Sequence, residues 1–234
     1  MKERPILFSA PMVRAILDGT KMQTRRVVKP IPAADQLLGL VVGSGGFHYV
    51  ADQTPITYPD LRRIRWDCPY GQPGDMLWVR ETWRIGAWSE DNGSIAIDYQ
   101  ADGHNRREWL EVPNGEDFLR YWQQSTDDAI KVYGDQDRYK WEPGKSPCRW
   151  RPSIHMPRWA SRTTLEITGV RVERLQDISR GDAMAEGCPF PNMAEGDDPR
   201  QWFAELWAQI NGAVSWDANP WVWVVEFSAI KGGV

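Results

Sequence analysis

The chain has few of the residues on which many kinds of site depend. Its 234 residues hold three cysteines and three histidines. Cys68, Cys148 and Cys188 are odd in number and far apart, so no disulfide framework is expected and a reducing, cytoplasmic setting fits. His48, His104 and His155 have no metal-ligand spacing. The His-x-Glu and Pro-Cys-x-x-Cys pair of zinc deaminases is also missing, since Cys188-Pro189 stands alone. No metal and no cofactor is expected. Nor is there a phosphate-binding loop, because Gly43-Ser44-Gly45-Gly46 lacks the lysine and helix that should follow it. No apolar run follows Met1-Lys2-Glu3-Arg4-Pro5, so no signal peptide is expected. The longest unbroken apolar run, Trp221 to Val225, is far too short to span a bilayer, and no membrane partner is expected. The net charge of −4 argues against a protein that grips long duplexes through phosphate contacts. Local basic clusters (Arg14, Lys21, Arg25, Arg26, Lys29; Arg62, Arg63, Arg65) leave a small or single-stranded RNA ligand open. Nothing in the pattern specifies an oligomeric state.

What is abundant is tryptophan, with fourteen residues. Between Arg84 and Trp150, Phe, Trp and Tyr outnumber Ile, Leu, Val and Met. Such rings fill a core where aliphatic residues are scarce. One or two of them could instead form a stacking wall for a planar base.

Periodicity gives a sequence of elements. A short strand at Ile6 to Phe8 precedes a helix capped by Ser9, with Met12, Val13, Ile16 and Leu17 on one stripe and Gly19 as a left-handed stop. From Pro30 to Tyr70 the signal is weak, with a turn at Gly43 to Gly46. Gly71-Gln72-Pro73-Gly74-Asp75 turns into a strand from Met76 to Trp83, with Leu77, Val79, Glu81 and Trp83 on one face. Residues 84–150 read as an irregular, aromatic-rich insertion holding one short helix at Asp117 to Gln123. Thr163 to Thr168 and Val170 to Leu175 read as two strands around Gly169. Ser179-Arg180-Gly181-Asp182 opens a helix that ends at Gly187. Asp198-Pro199 opens another, with Trp202, Phe203, Leu206, Trp207 and Ile210 on one face. Trp221 to Phe227 is a last, central strand. The expected class is α+β, a partly closed β-barrel with two or three helices, forming one domain over 1–234 with the insertion at about 84–150.

The run Gly19-Thr20-Lys21, with Thr24 and Arg26, resembles the opening of ASCH domains, small barrels related to the PUA fold of RNA-binding proteins. Pro73-Gly74-Asp75, Ile178 to Gly187, and Val224-Val225-Glu226-Phe227 are similar to later parts of that family, in the same order. The wider wording, Pro5 through Arg26 and then Trp216 through Trp223, resembles longer members of phage and prophage type. Together these pieces cover roughly residues 5–30, 71–83 and 156–229. Some short ASCH proteins are metal-free amidohydrolases that convert N(4)-acetylcytidine to cytidine with a lysine, a threonine and a glutamate. The resemblance implies Lys21 and Thr24 for the first two and Glu186 for the third, with Arg26 orienting the site or a substrate oxygen. Glu81 and Trp83, within Arg80-Glu81-Thr82-Trp83, are candidates to line the pocket; a salt bridge in the barrel wall is the competing reading.

Those residue types suit amide hydrolysis, which needs a nucleophile, a base and a proton for the leaving amine. A free lysine has a pKa of about 10.4, so only roughly 0.04% is neutral near pH 7. Two versions stay open. Either a desolvated Lys21 takes the threonine proton and Glu186 helps protonate the amine, or Glu186 is the base and a cationic Lys21 stabilises the oxyanion. Residues three apart on a flat strand face opposite ways, so Lys21 and Thr24 converge only through a bend, a bulge or the reach of the lysine stem. The expected substrate is a small acylated cytosine nucleoside. A non-catalytic RNA- or DNA-binding module and a ribonuclease are the alternatives.

Overall fold

The computed structural model describes residues 1–29, 37–43, 46–51, 65–103, 108–136, 138–189 and 198–230, with 37–51 and 65–66 described by backbone alone. In chain order the elements are β1 (Glu3–Leu7), α1 (Ala10–Leu17), β2 (Gln23–Val27), β3 (Leu37–Gly43), β4 (Gly46–Ala51), β5 (Arg65–Trp66), β6 (Met76–Arg80) and β7 (Trp83–Ser89). There follow β8 (Ser94–Tyr99), β9 (Glu108–Glu111), α2 (Gly115–Tyr133), β10 (Thr164–Arg174), α3 (Arg180–Ala185), α4 (Pro199–Asn211) and β11 (Trp221–Ile230). The class is mixed α+β. The expected turn at Gly43 to Gly46, and His104, fall wholly or partly outside the described residues.

The chain divides into two compact units. The first is Met1–Lys2, Thr20–Met76 and Glu166–Ser228; the second is Glu3–Gly19, Leu77–Leu165 and Ala229–Val234. In the first, β11 lies between β10 and β2. It pairs antiparallel with β2, Glu226 opposite Gln23, Val225 opposite Thr24 and Val224 opposite Arg25. Val222, Trp223, Val224 and Val225 are all buried, which is how a strand covered on both faces should read. Asp198 accepts a hydrogen bond from Arg200 N, and Pro199 sits in the first turn, so α4 starts where the sequence says. Its Phe203 and Trp207 pack with Leu175, Ile178, Ala183, Val222 and Val224 into one core. Full burial of side chains of this size stabilises by about 1.5–3 kcal/mol each. Ile210, at the end of the same stripe, is exposed. The backbones of β3, β4 and β5 form a separate antiparallel sheet.

β10 runs unbroken through Gly169, where two strands and a turn were expected. The glycine serves close approach: a Cβ there would meet Glu226 Oε2 at 2.5 Å.

In the second unit, β7, β8 and β9 form an antiparallel meander. The nineteen-residue α2 follows, capped by the Asn114 side chain accepting from Asp117 N. Trp83, Ile85, Ile95, Ile97, Tyr99, Tyr121 and Met156 are the centre of its core. Residues 84–150 are therefore largely regular, and the helix extends well beyond Asp117 to Gln123. β8 is buried on both faces, so it shows no alternation to read. The strand expected from Met76 to Trp83 is two. Arg80 O accepts from Phe8 N, whereas Trp83 exchanges both backbone hydrogen bonds with Arg151. The chain changes partner at Glu81-Thr82. Among the described residues, no helix is long and apolar enough to cross a membrane.

Candidate active site

Local sequence fixes the site from two directions. Gly19, at φ +75°, ends α1 in the left-handed conformation that glycine adopts without strain. Two residues later Lys21 forms an isolated antiparallel bridge with Glu186. Met22 N donates to Ala185 O at 2.8 Å and Phe227 N donates to Met22 O at 2.9 Å. On the other side, α3 is pinned at its start by a reciprocal Ser179–Asp182 capping box. Glu186 is its C-terminal cap residue, followed by Gly187 at φ +96°. Glu186 thus leaves a short helix with its direction set at both ends.

The Lys21 Nζ donates to Glu186 Oε2 at 2.7 Å and to Glu186 O at 2.9 Å. Lys21 is 2% exposed and Glu186 4%. Burial pulls the Lys21 pKa below its ordinary value; the Glu186 carboxylate opposes this, and the like charges of Arg26 and Arg25 add to it.

Arg25 completes the cluster. Its Nη1 donates to Glu186 Oε1 at 3.1 Å, its Nε to Glu173 Oε1 at 3.2 Å, and its Nη2 pairs with Glu173 and lies 3.5 Å from Asp182 Oδ2. Its guanidinium carbon stands 5.7 Å from the centre of the Phe203 ring. Arg171 ties the outer acids together, donating to Glu173 Oε2 at 3.1 Å and Asp182 Oδ1 at 2.8 Å and pairing with Glu226. Burial works against the Asp182 carboxylate, but the Ser179 hydroxyl and the two guanidinium groups outweigh it and lower its pKa. Gln23 Nε2 donates to Asp182 O at 2.8 Å. Gln23 and Arg25 therefore share the face of β2 that meets α3.

Thr24 and Arg26 alternate with them onto the other face. Thr24 is 3% exposed and opposite Val225; Arg26 is half-buried and opposite Trp223. The β2–β11 register runs without a bulge from Gln23 to Val27. The structure brings Lys21 and Glu186 into direct contact, while Thr24, three positions on, lies on the face of β2 opposite the one that Gln23 and Arg25 turn to α3.

Glu81 and Trp83 belong to the second unit. Glu81 is 1% exposed and binds Arg162 through both oxygens, at 3.0 and 3.1 Å. Burial raises its pKa and Arg162 opposes the rise. This is the salt-bridge reading of that motif. Trp83 is 0% exposed, packed edge-on against Tyr121 and Trp159 at 5.6 and 6.4 Å. It offers no surface to a ligand, because the whole indole is spent on the core.

Sequence reading passed over Arg25, Glu173, Asp182 and Arg171. The available signal was the alternation of Gln23-Thr24-Arg25-Arg26: a strand with one face against a helix must bury one of the two arginines, and a buried arginine needs acids. Among the described residues, no group of three or more His, Cys, Asp or Glu could hold a metal ion. Compared with known protein families, curated proteins and solved structures, the chain matches none.

Proposed function

We propose that the protein is an ASCH-like amidohydrolase of PUA-like fold that removes acyl groups from the exocyclic amine of N(4)-acylated cytosine nucleosides without a metal. The observation that carries the reading is Lys21, 2% exposed, with its amine 2.7 Å from the Glu186 carboxylate. The motif order of Lys21, Thr24 and Glu186 supports it.

In this mechanism Lys21 is the base. Desolvation lowers its pKa, which raises the neutral fraction able to accept a proton. It takes the proton from the attacking hydroxyl, which is that of Thr24 where the Lys21 stem reaches across to the face Thr24 occupies, and otherwise that of a water. The oxygen adds to the acyl carbonyl, and the C–N bond breaks as the proton passes through Glu186 to the leaving cytosine amine. On the Thr24 route, water then cleaves the acyl-threonine. The sum is one amide and one water converted to one carboxylic acid and cytidine. Arg25, on the other oxygen of Glu186, acts as a positioning residue.

The test is direct. Purified protein in chelator, given N(4)-acetylcytidine, is expected to release cytidine and acetate in equal amounts. Folded protein that leaves a panel of acylated cytosines intact overturns the reading.

A further inference from the structure

The second unit holds a cavity of about 460 Å³ lined by Arg120, Tyr121, Arg149, Trp150, Arg151 and His155, with Gln124 and Pro152. No acidic side chain lines it. In a chain of net charge −4, three arginines around one hollow are a local inversion of sign.

These arginines differ in how well they are neutralised. Arg120 donates to Asp117 at 2.5 Å, one helical turn away. Arg149 is 64% exposed along its side chain and comes only within 3.9 Å of Asp128. Arg151 is 7% exposed, and among the described residues no carboxylate pairs with it. Its Nη2 donates to the neutral Gln124 amide oxygen at 3.2 Å, and its buried Nη1 has no hydrogen-bond partner. A buried guanidinium with no carboxylate at ion-pair distance is costly to keep, and the more distant Asp128 offsets its burial only in part. Its neighbours are aromatic: the guanidinium carbon lies 5.3 Å from the Trp83 ring centre and 5.8 Å from that of Tyr121. Burial lowers the Arg151 pKa. What would balance this wall is an anion.

The Trp150 indole also lines the cavity. The Arg84 guanidinium stands 4.4 Å from the Trp150 ring centre, which holds that ring in place at the cavity wall. Arginine forks suit phosphate oxygens, and an indole face suits a planar base. The volume falls in the range of small-molecule sites.

We propose that this cavity is a nucleotide site, taking a phosphate group on Arg149 and Arg151 and the attached base against Trp150. It shares no lining residue with the Lys21–Glu186 site and does not depend on the hydrolase reading. The phosphate has two possible sources, a free nucleoside monophosphate or the 5′ end of an RNA strand.

The experiment is calorimetric titration of the full chain with cytidine 5′-monophosphate, cytidine, inorganic phosphate and a 5′-phosphorylated oligocytidylate. The monophosphate is expected to bind at least tenfold tighter than cytidine. Arg151→Gln and Arg149→Glu should each weaken it at least fivefold, and Lys21→Ala should leave it unchanged. Arg149 is exposed, so its variant reports even where Arg151→Gln fails to fold. A tighter oligocytidylate identifies the strand end as the source; equal or weaker binding identifies the free nucleotide. The proposal is overturned if neither phosphate ligand saturates the folded protein, if binding survives Arg149→Glu, or if Lys21→Ala abolishes it.

Discussion

Lys21 and Arg25 divide one carboxylate between them: the amine holds Glu186 Oε2 at 2.7 Å and the guanidinium holds Oε1 at 3.1 Å. Both come from residues 21–25, and the acid comes from the end of α3. The arrangement immobilises Glu186 and sets the Lys21 amine in a dry position, so the proposed chemistry and stability can be probed at the same few atoms.

On the proposed mechanism, replacing Lys21 should stop turnover. Lys21→Ala and Lys21→Arg are each expected to lower kcat at least 100-fold, the usual scale for a general base. Arginine keeps the charge but does not deprotonate in this range. Steady-state rates, with circular dichroism to show that the variants fold, check this. A Lys21→Arg variant with near-normal kcat would favour the version in which the lysine stays cationic.

The pH profile carries a sign. Because Lys21 titrates below its ordinary value, the ascending limb of kcat against pH should level off below the pH at which a free lysine titrates. Stability moves the same way. Between the lowered native pKa and the unfolded one near 10.4 the unfolded chain binds the extra proton, so the lysine's contribution grows with pH across that window. It falls away as pH drops through the native value. Urea unfolding of wild type and Lys21→Met at several pH values should show the gap shifting toward wild type as pH rises.

Thr24 separates the two routes of attack. Thr24→Ala should cost at least 100-fold in kcat, and Thr24→Ser should retain most of it. Rapid quenching with N(4)-acetylcytidine followed by intact-mass measurement should find one added acetyl group if the threonine attacks. If a held water attacks, no adduct forms although turnover proceeds.

Arg25 is the structural keystone of the cluster. Arg25→Ala leaves buried Glu186 without one partner and strips a contact from Glu173 and Asp182. The expected loss is about 3–5 kcal/mol, the scale for breaking a buried ion pair from one side. Chemical denaturation measures it.

A milder change tests the β10–β11 approach. Gly169→Ala pushes a methyl against the Glu226 carboxylate, which is 45% exposed and can swing away. The Arg171–Glu226 pair should break at a cost below about 1 kcal/mol, read as a small drop in Tm.

Lys21 and Glu186 are singled out by the family resemblance; local rules, a glycine stop, a capping box and a second glycine stop, set only where they sit along the chain. Arg25 is not. Nothing within Gln23-Thr24-Arg25-Arg26 says which arginine turns inward until α3 covers one face of β2. The same holds elsewhere. α4 and β11 announce themselves through caps and an apolar run, whereas β8 hides because burial on both faces erases its alternation. Gly169 looks like a turn from its neighbours alone; its actual cause is a side chain on another strand.

The placement of β11 between β10 and β2 has a consequence for synthesis. β2 is synthesised roughly two hundred residues before its antiparallel neighbour. The acids that hold Lys21 and Arg25, namely Glu173, Asp182 and Glu186, are made shortly before that neighbour, so for most of synthesis the two cations stay hydrated. Loop closure over so long a stretch is slow, so the Lys21 amine should acquire its dry surroundings only after β11 has docked beside β2.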